Sequence, residues 1–130
     1  MYFLYHLILL LAAATVKFLA LFSPKMKLFA DGRKTVFSTL SEKILPGDKT
    51  IWFHAASLGE YEQGLPVMEQ IKAQYPNHKI ILTFFSPSGY EVRKNNTVAD
   101  VTVYLPLDSE QNAKKFVQLA QPELVFFIKY

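Results

Sequence analysis

A chain of 130 residues is long enough to pack one domain without staples, and it carries no cysteine, which excludes a disulfide framework and a thiolate metal site. Its net charge of +3 is uneven: residues 1–43 hold six basic side chains against two acidic ones, and the remainder eight against nine. No basic stripe is left for a folded domain, so no nucleic-acid partner is expected.

The first 16 residues contain no Asp, Glu, Lys or Arg, and with Lys17 snorkelling the apolar stretch extends to Phe22. A helix over 1–22 would be about 33 Å long, close to one hydrocarbon core. Ala12-Ala13-Ala14 resembles a small-residue cleavage site, but no basic residue precedes the apolar run and the positive charges follow it. The expectation is an uncleaved membrane anchor, spanning or oblique, with the chain after it on the cytoplasmic side. Residues 23–49 form a basic connector punctuated by Pro24, Asp31-Gly32 and Pro46-Gly47, with one short helix near 36–43. Lys25, Lys27, Arg33 and Lys34 lie just beyond the anchor, where they serve as a topology signal or as contacts to anionic lipid.

From residue 50 a βα alternation predicts strands at 50–55, 79–85, 101–104 and 123–128. Helices are expected at 58–75, from Pro87 onward, and at 109–120. The fold class is α/β, a parallel, doubly wound, Rossmann-like sheet over 50–130. The strands are nearly continuous apolar runs, as in sheets covered on both faces. The sequence stops soon after its last strand, before any covering helix, and is expected to be part of a longer protein.

The chemistry concentrates where strand meets helix at the carboxyl edge of the sheet, the place where open α/β sheets bind ligands. After the first strand comes Ser57-Leu58-Gly59-Glu60. As a capping box, Ser57 caps the helix and Glu60 reaches back to the cap N–H. As a site, Glu60 is a general base beside a glycine that admits substrate to the backbone. Pro66, inside the following helix, is expected to bend it. After the second strand, Ser86-Pro87-Ser88-Gly89 joins an N-cap serine to a proline at the first helical position. Its free N–H groups and two hydroxyls suit a phosphate or carboxylate. Asp108-Ser109-Glu110 reads as capping alone, and His54 as a satisfied core histidine. His6, His54 and His78 make no metal cluster, and neither a Walker loop nor GxGxxG is present.

These motifs in this order, an apolar anchor and basic connector, then Trp52-Phe53-His54-Ala55-Ala56-Ser57-Leu58-Gly59-Glu60, Ser86-Pro87-Ser88-Gly89 and Tyr104-Leu105-Pro106-Leu107-Asp108, resemble the amino-terminal half of the 3-deoxy-D-manno-octulosonic acid (Kdo) transferases. The resemblance implies an inverting glycosyltransferase of the two-Rossmann-domain GT-B type, without cofactor or metal. Such an enzyme would work on the cytoplasmic face of the inner membrane. The donor would be CMP-Kdo, held mostly by a carboxy-terminal domain absent from this chain, and the acceptor a lipid A precursor handled by this half. Glu60 matches the family's base; Ser57, Gly59, Ser86, Ser88 and Gly89 would line the substrate site. The second loop departs from the family, carrying serines where threonines are usual. The fragment alone is expected to be inactive. The alternatives are a membrane-tethered binding module without chemistry, or another GT-B enzyme such as a lipid-disaccharide synthase.

Overall fold

The structure, a computed structural model, describes residues 1–129; Tyr130, where the sequence reading ends the domain, lies outside the described residues. Three helices, α1 (Tyr2–Leu19), α2 (Pro24–Asp31) and α3 (Val36–Lys43), precede the alternating part. That part runs β1 (Thr50–Ala55), α4 (Leu58–Gln74), β2 (Lys79–Phe84), α5 (Pro87–Arg93), β3 (Val101–Tyr104), α6 (Glu110–Ala120) and β4 (Pro122–Ile128). All strand pairs are parallel, in the order β3-β2-β1-β4. The predicted Rossmann-like α/β sheet is therefore present.

Period-two alternation divides the core. Ile51, Phe53 and Ala55 point to one face with Ile80 and Leu82, where Tyr61 and Met68 of α4 cover them. Trp52 packs on the opposite face with Ile81, Val101 and Val103, under Val36, Leu40 and Ile44 and under Phe116 and Ala120 of α6. Part of residues 23–49 thus packs on this face. Val36 and Leu40 are almost wholly buried, so the packed domain begins at α3, ahead of residue 50.

α2 was not expected. Ser23 is extended (φ −131°, ψ 119°) and Pro24 occupies the first helical turn, where a missing N–H costs nothing and a fixed φ favours the helix. Gly32, read as a turn residue, has helical backbone at the end of α2; its requirement is clearance, because a Cβ there would collide with the Tyr104 ring. α4 continues across Pro66, which lacks the N–H that would bond the Glu62 carbonyl.

α1 buries none of its residues and is long and apolar enough to cross a membrane. Among the described residues, its side chains reach the rest of the chain by hydrogen bonds only through the Tyr5 hydroxyl, which donates to the Asp108 carboxylate (2.9 Å) and backbone carbonyl (3.0 Å). Full insertion of α1 requires these groups to separate, since Tyr5 lies near the helix end remote from the domain's basic segment.

β4 is a buried-type apolar strand that is expected to stay partly uncovered, since no helix of this sequence follows it, and it does. It pairs only with β1 and lies at the sheet edge, leaving Leu124 46%, Val125 41% and Phe127 60% exposed. Apolar edges with unpaired backbone groups recruit other chains. The chain without residues 1–22 should therefore self-associate in sedimentation velocity; a clean monomer with cooperative unfolding would show that the edge needs no partner.

Candidate active site at the carboxyl edge of the sheet

β1 ends at Ala55, and the chain turns through Ala56 into α4. Ser57 is extended (φ −137°, ψ 172°), and its Oγ accepts from the Glu60 N–H at 3.4 Å. The capping box closes one residue earlier than the pattern predicts: Glu60 Oε2 accepts a hydrogen bond from the N–H of Ala56, not of Ser57. The Ala56 carbonyl in turn accepts from the Ser86 N–H at 2.9 Å. One peptide therefore joins the first loop to the second. Glu60 is half-buried, and its other carboxylate oxygen has no hydrogen-bond partner among the described residues. Such a group is held in place yet still able to take a proton.

Gly59 is exposed, and a Cβ on it would meet nothing within 4 Å. No packing within the chain demands glycine there, so the space above its backbone is open to a ligand. In the second loop, Ser86 Oγ accepts from the Ser88 N–H at 3.2 Å, and the two hydroxyls lie 2.6 Å apart. Ser88 is exposed, whereas Gly89 is buried. A Cβ on Gly89 would press on the Phe84 ring and come within 3.1 Å of the Leu58 nitrogen. Gly89 lets α5 approach the start of α4, and so brings the two serines beside the Glu60 corner.

Two features of the site carry no local sequence signal. The first is a polar chain on the α6 face of the sheet. Trp52 Nε1 donates to Thr83 Oγ1 at 2.8 Å, and Thr83 Oγ1 lies 2.8 Å from His54 Nδ1. Burial pushes the His54 pKa below its usual value, opposed by the charge of Glu60. The neutral ring so favoured shares a hydrogen bond between Nδ1 and the Thr83 hydroxyl, with donor and acceptor set by the tautomer, and that hydroxyl also lies 3.5 Å from the Phe53 carbonyl. The second is Arg33. Its guanidinium lies 3.6 Å from the Phe29 ring centroid and 5.1 Å from those of Phe85 and Tyr104. It donates to the Phe29 carbonyl (2.8 Å) and to the Phe85 carbonyl (2.9 Å). Burial pushes its pKa down to about 10, so it remains a cation at neutral pH. Of the four basic residues after the anchor, Arg33 thus braces the second loop, Lys34 pairs with Asp31 at 2.5 Å, and Lys25 and Lys27 are exposed. Among the described residues no cluster of three or more His, Asp or Glu is placed to hold a metal ion.

A parallel α/β domain with a pinned glutamate where its central strand meets the first helix is built for ligand chemistry at the sheet's carboxyl edge. The chain belongs to a family described as 3-deoxy-D-manno-octulosonic-acid transferase (kdotransferase), whose model matches residues 31–130. It is 30% identical over 125 residues to the 3-deoxy-D-manno-octulosonic acid transferase of Haemophilus influenzae, covering 95% of this chain and 29% of that one. It is 34% identical over 80 residues to the transferase of the same name from Aquifex aeolicus, covering 61% and 22%. With that of Chlamydophila psittaci it shares 33% over 86 residues, 64% of this chain and 20% of the relative. The chain thus spans about a quarter of the length of these relatives.

The half-buried His54 has a consequence for stability. The unfolded chain takes up the proton first as pH falls through about 6.5, so stability is complete above that pH and declines below it. In thermal unfolding from pH 7.5 to 5, His54→Gln should flatten this decline; an unchanged slope would show that His54 does not titrate on unfolding.

Proposed function

We propose that this chain is the acceptor-side part of a membrane-anchored, inverting glycosyltransferase that moves Kdo from CMP-Kdo to a lipid A precursor. The observation that carries this reading is the state of Glu60: one carboxylate oxygen is fixed by the Ala56 N–H, and the other has no hydrogen-bond partner among the described residues, at the corner where the resemblance sets the family's base. Its free oxygen takes the proton of an acceptor sugar hydroxyl. The acceptor oxygen then forms its bond to the donor's anomeric carbon from the face opposite the nucleotide. The bond to the CMP phosphate oxygen breaks, CMP departs with the electron pair, and the configuration inverts. No metal or cofactor enters these steps.

In this reading Gly59 and the hydroxyls of Ser57, Ser86 and Ser88 border the acceptor, while Gly89 keeps the second loop against the first. The donor is held by the remainder of a longer polypeptide, so the 130 residues alone are inactive. Residues 1–22 anchor the protein in the inner membrane, with the sheet on the cytoplasmic face. Lys25, Lys27 and Lys34 face the headgroups, while Arg33 is turned to the second loop. The domain, taken from the sequence as 50–130, is better started at α3.

In the full-length enzyme, Glu60→Gln should lower turnover by about 10²–10⁴-fold, the usual worth of a positioned base. Glutamine still accepts from the Ala56 N–H, so folding should be little affected. Ser57→Ala should behave oppositely, with a smaller loss of turnover and about 0.5–1 kcal/mol less stability, the low end for a cap because its hydrogen bond is long. Turnover with CMP-Kdo and a lipid A precursor, beside thermal unfolding, reads both variants. Near-normal activity of Glu60→Gln would reduce Glu60 to a cap.

Deleting residues 1–22 should move the protein from the membrane pellet to the soluble fraction with its α/β domain folded, as judged by far-UV circular dichroism. Recovery of the intact chain in the soluble fraction, without detergent and at low salt, would contradict the anchor.

A further inference from the structure

Arg33 leaves the chain directly after Gly32, the C-cap of α2, and reaches a loop 52 residues further on. One terminal nitrogen donates to the Phe29 carbonyl of α2, and the other to the Phe85 carbonyl, immediately before Ser86. The rings of Phe29 and Phe85 meet edge-on beside it, with centroids 5.3 Å apart. Tyr104, the third ring around the guanidinium, carries the contact to the far side of the loop. It lies 4.2 Å from the Tyr90 ring, and its hydroxyl donates to Glu91 at 3.3 Å, both residues of α5. The stretch Ser86-Pro87-Ser88-Gly89 is thus held at Phe85 before it and at Tyr90 and Glu91 after it. Stability alone gives no reason for a guanidinium here. Its Nε is buried without an acceptor among the described residues, a cost that an apolar side chain filling the same space would avoid. What arginine adds is geometry: a planar fork that fixes two carbonyls while its face rests on a ring.

We propose that Arg33 is a positioning residue of the transfer site, setting the second βα loop at the distance from Glu60 that admits the acceptor sugar. The inference rests on the transferase reading. The route from Arg33 to the base is short. Arg33 holds the Phe85 carbonyl, Ser86 donates to the Ala56 carbonyl, and the Ala56 N–H is bound to the Glu60 carboxylate. Arg33 acts through these peptides and not by contact with the sugar. Without its fork the loop and its two hydroxyls drift from the corner, and the acceptor binds less well. The donor, held by the remainder of the longer polypeptide, is indifferent to that loss.

The experiment uses the full-length enzyme, in which Arg33→Lys keeps the charge and loses the fork. With CMP-Kdo and a lipid A precursor, the acceptor KM should rise about tenfold, a modest share of what misplacement can cost. The KM for CMP-Kdo should stay within about twofold of wild type. A residue serving stability alone would instead lower kcat through the folded fraction and leave both KM values unchanged. Hydrogen exchange read by mass spectrometry on the same protein reports the loop directly. Residues 85–90 should exchange about tenfold faster in Arg33→Lys, while β2 keeps its protection. Should Arg33→Lys not fold, Phe29→Leu removes the nearest ring and leaves both carbonyl bonds; it should give the same split at about threefold. A wild-type enzyme that transfers no Kdo would sink the functional reading, and exchange across 85–90 then decides the clamp by itself. An acceptor KM within about twofold of wild type, equal changes in both KM values, or unchanged exchange across 85–90 would overturn the proposal.

Discussion

The candidate site depends on the peptide group of Ala56. Its N–H goes to the Glu60 carboxylate and its carbonyl to the Ser86 N–H. Neither bond belongs to the sheet ladder, because β1 and β2 end at Ala55 and Phe84. A loop peptide leaving a central strand has a donor and an acceptor that must be satisfied somewhere. Here the donor fixes an acid and the acceptor fixes the neighbouring loop. Arg33 extends the same arrangement by holding the Phe85 carbonyl, so a cation from the segment before the sheet helps to set the distance between the two βα loops.

This arrangement explains why the segment before β1 is packed rather than loose. α3 and the residue after it close the Trp52 face, with Val36, Leu40 and Ile44 in the core. Tyr104 fits over Gly32, and Arg33 follows immediately, among the rings of Phe29, Phe85 and Tyr104. A guanidinium is well suited to such a place, since it stacks on aromatic rings while its edges donate to carbonyls. A lysine could keep the charge but not both contacts.

How much of this is legible in the sequence follows from the range of each interaction. β1 and β3 fall on their predicted residues and β2 and β4 within one, because apolar runs bounded by turn residues are local signals. α3 and the Ser57, Ser86 and Ser109 caps are local too. Ser23-Pro24 carries the same start signal as Ser86-Pro87, yet α2 stayed hidden because a short helix beside Asp31-Gly32 also fits turn chemistry. The one-residue offset of the capping box depends on the backbone of Ala56, which no residue pattern records. The aromatic setting of Arg33 joins positions 29, 33, 85 and 104, and a charged residue amid lysines carries no mark of such burial. β4 is apolar by composition, and its partial exposure is legible too, because no helix of this sequence follows to cover it.

The chain contains one tryptophan. Trp52 has its indole N–H committed to Thr83, and its ring lies 4.7 Å from that of Phe116 and 5.6 Å from that of Phe127. Thr83 is shared with His54, two residues further along β1 and beside the Glu60 corner. Indole emission selected at the red edge of absorption therefore comes from a single ring already wired to the site. A ligand that moves His54, or a strand that covers Phe127, changes the polarity and quenching around that ring. The protein carries its own optical gauge of the carboxyl edge, without a label.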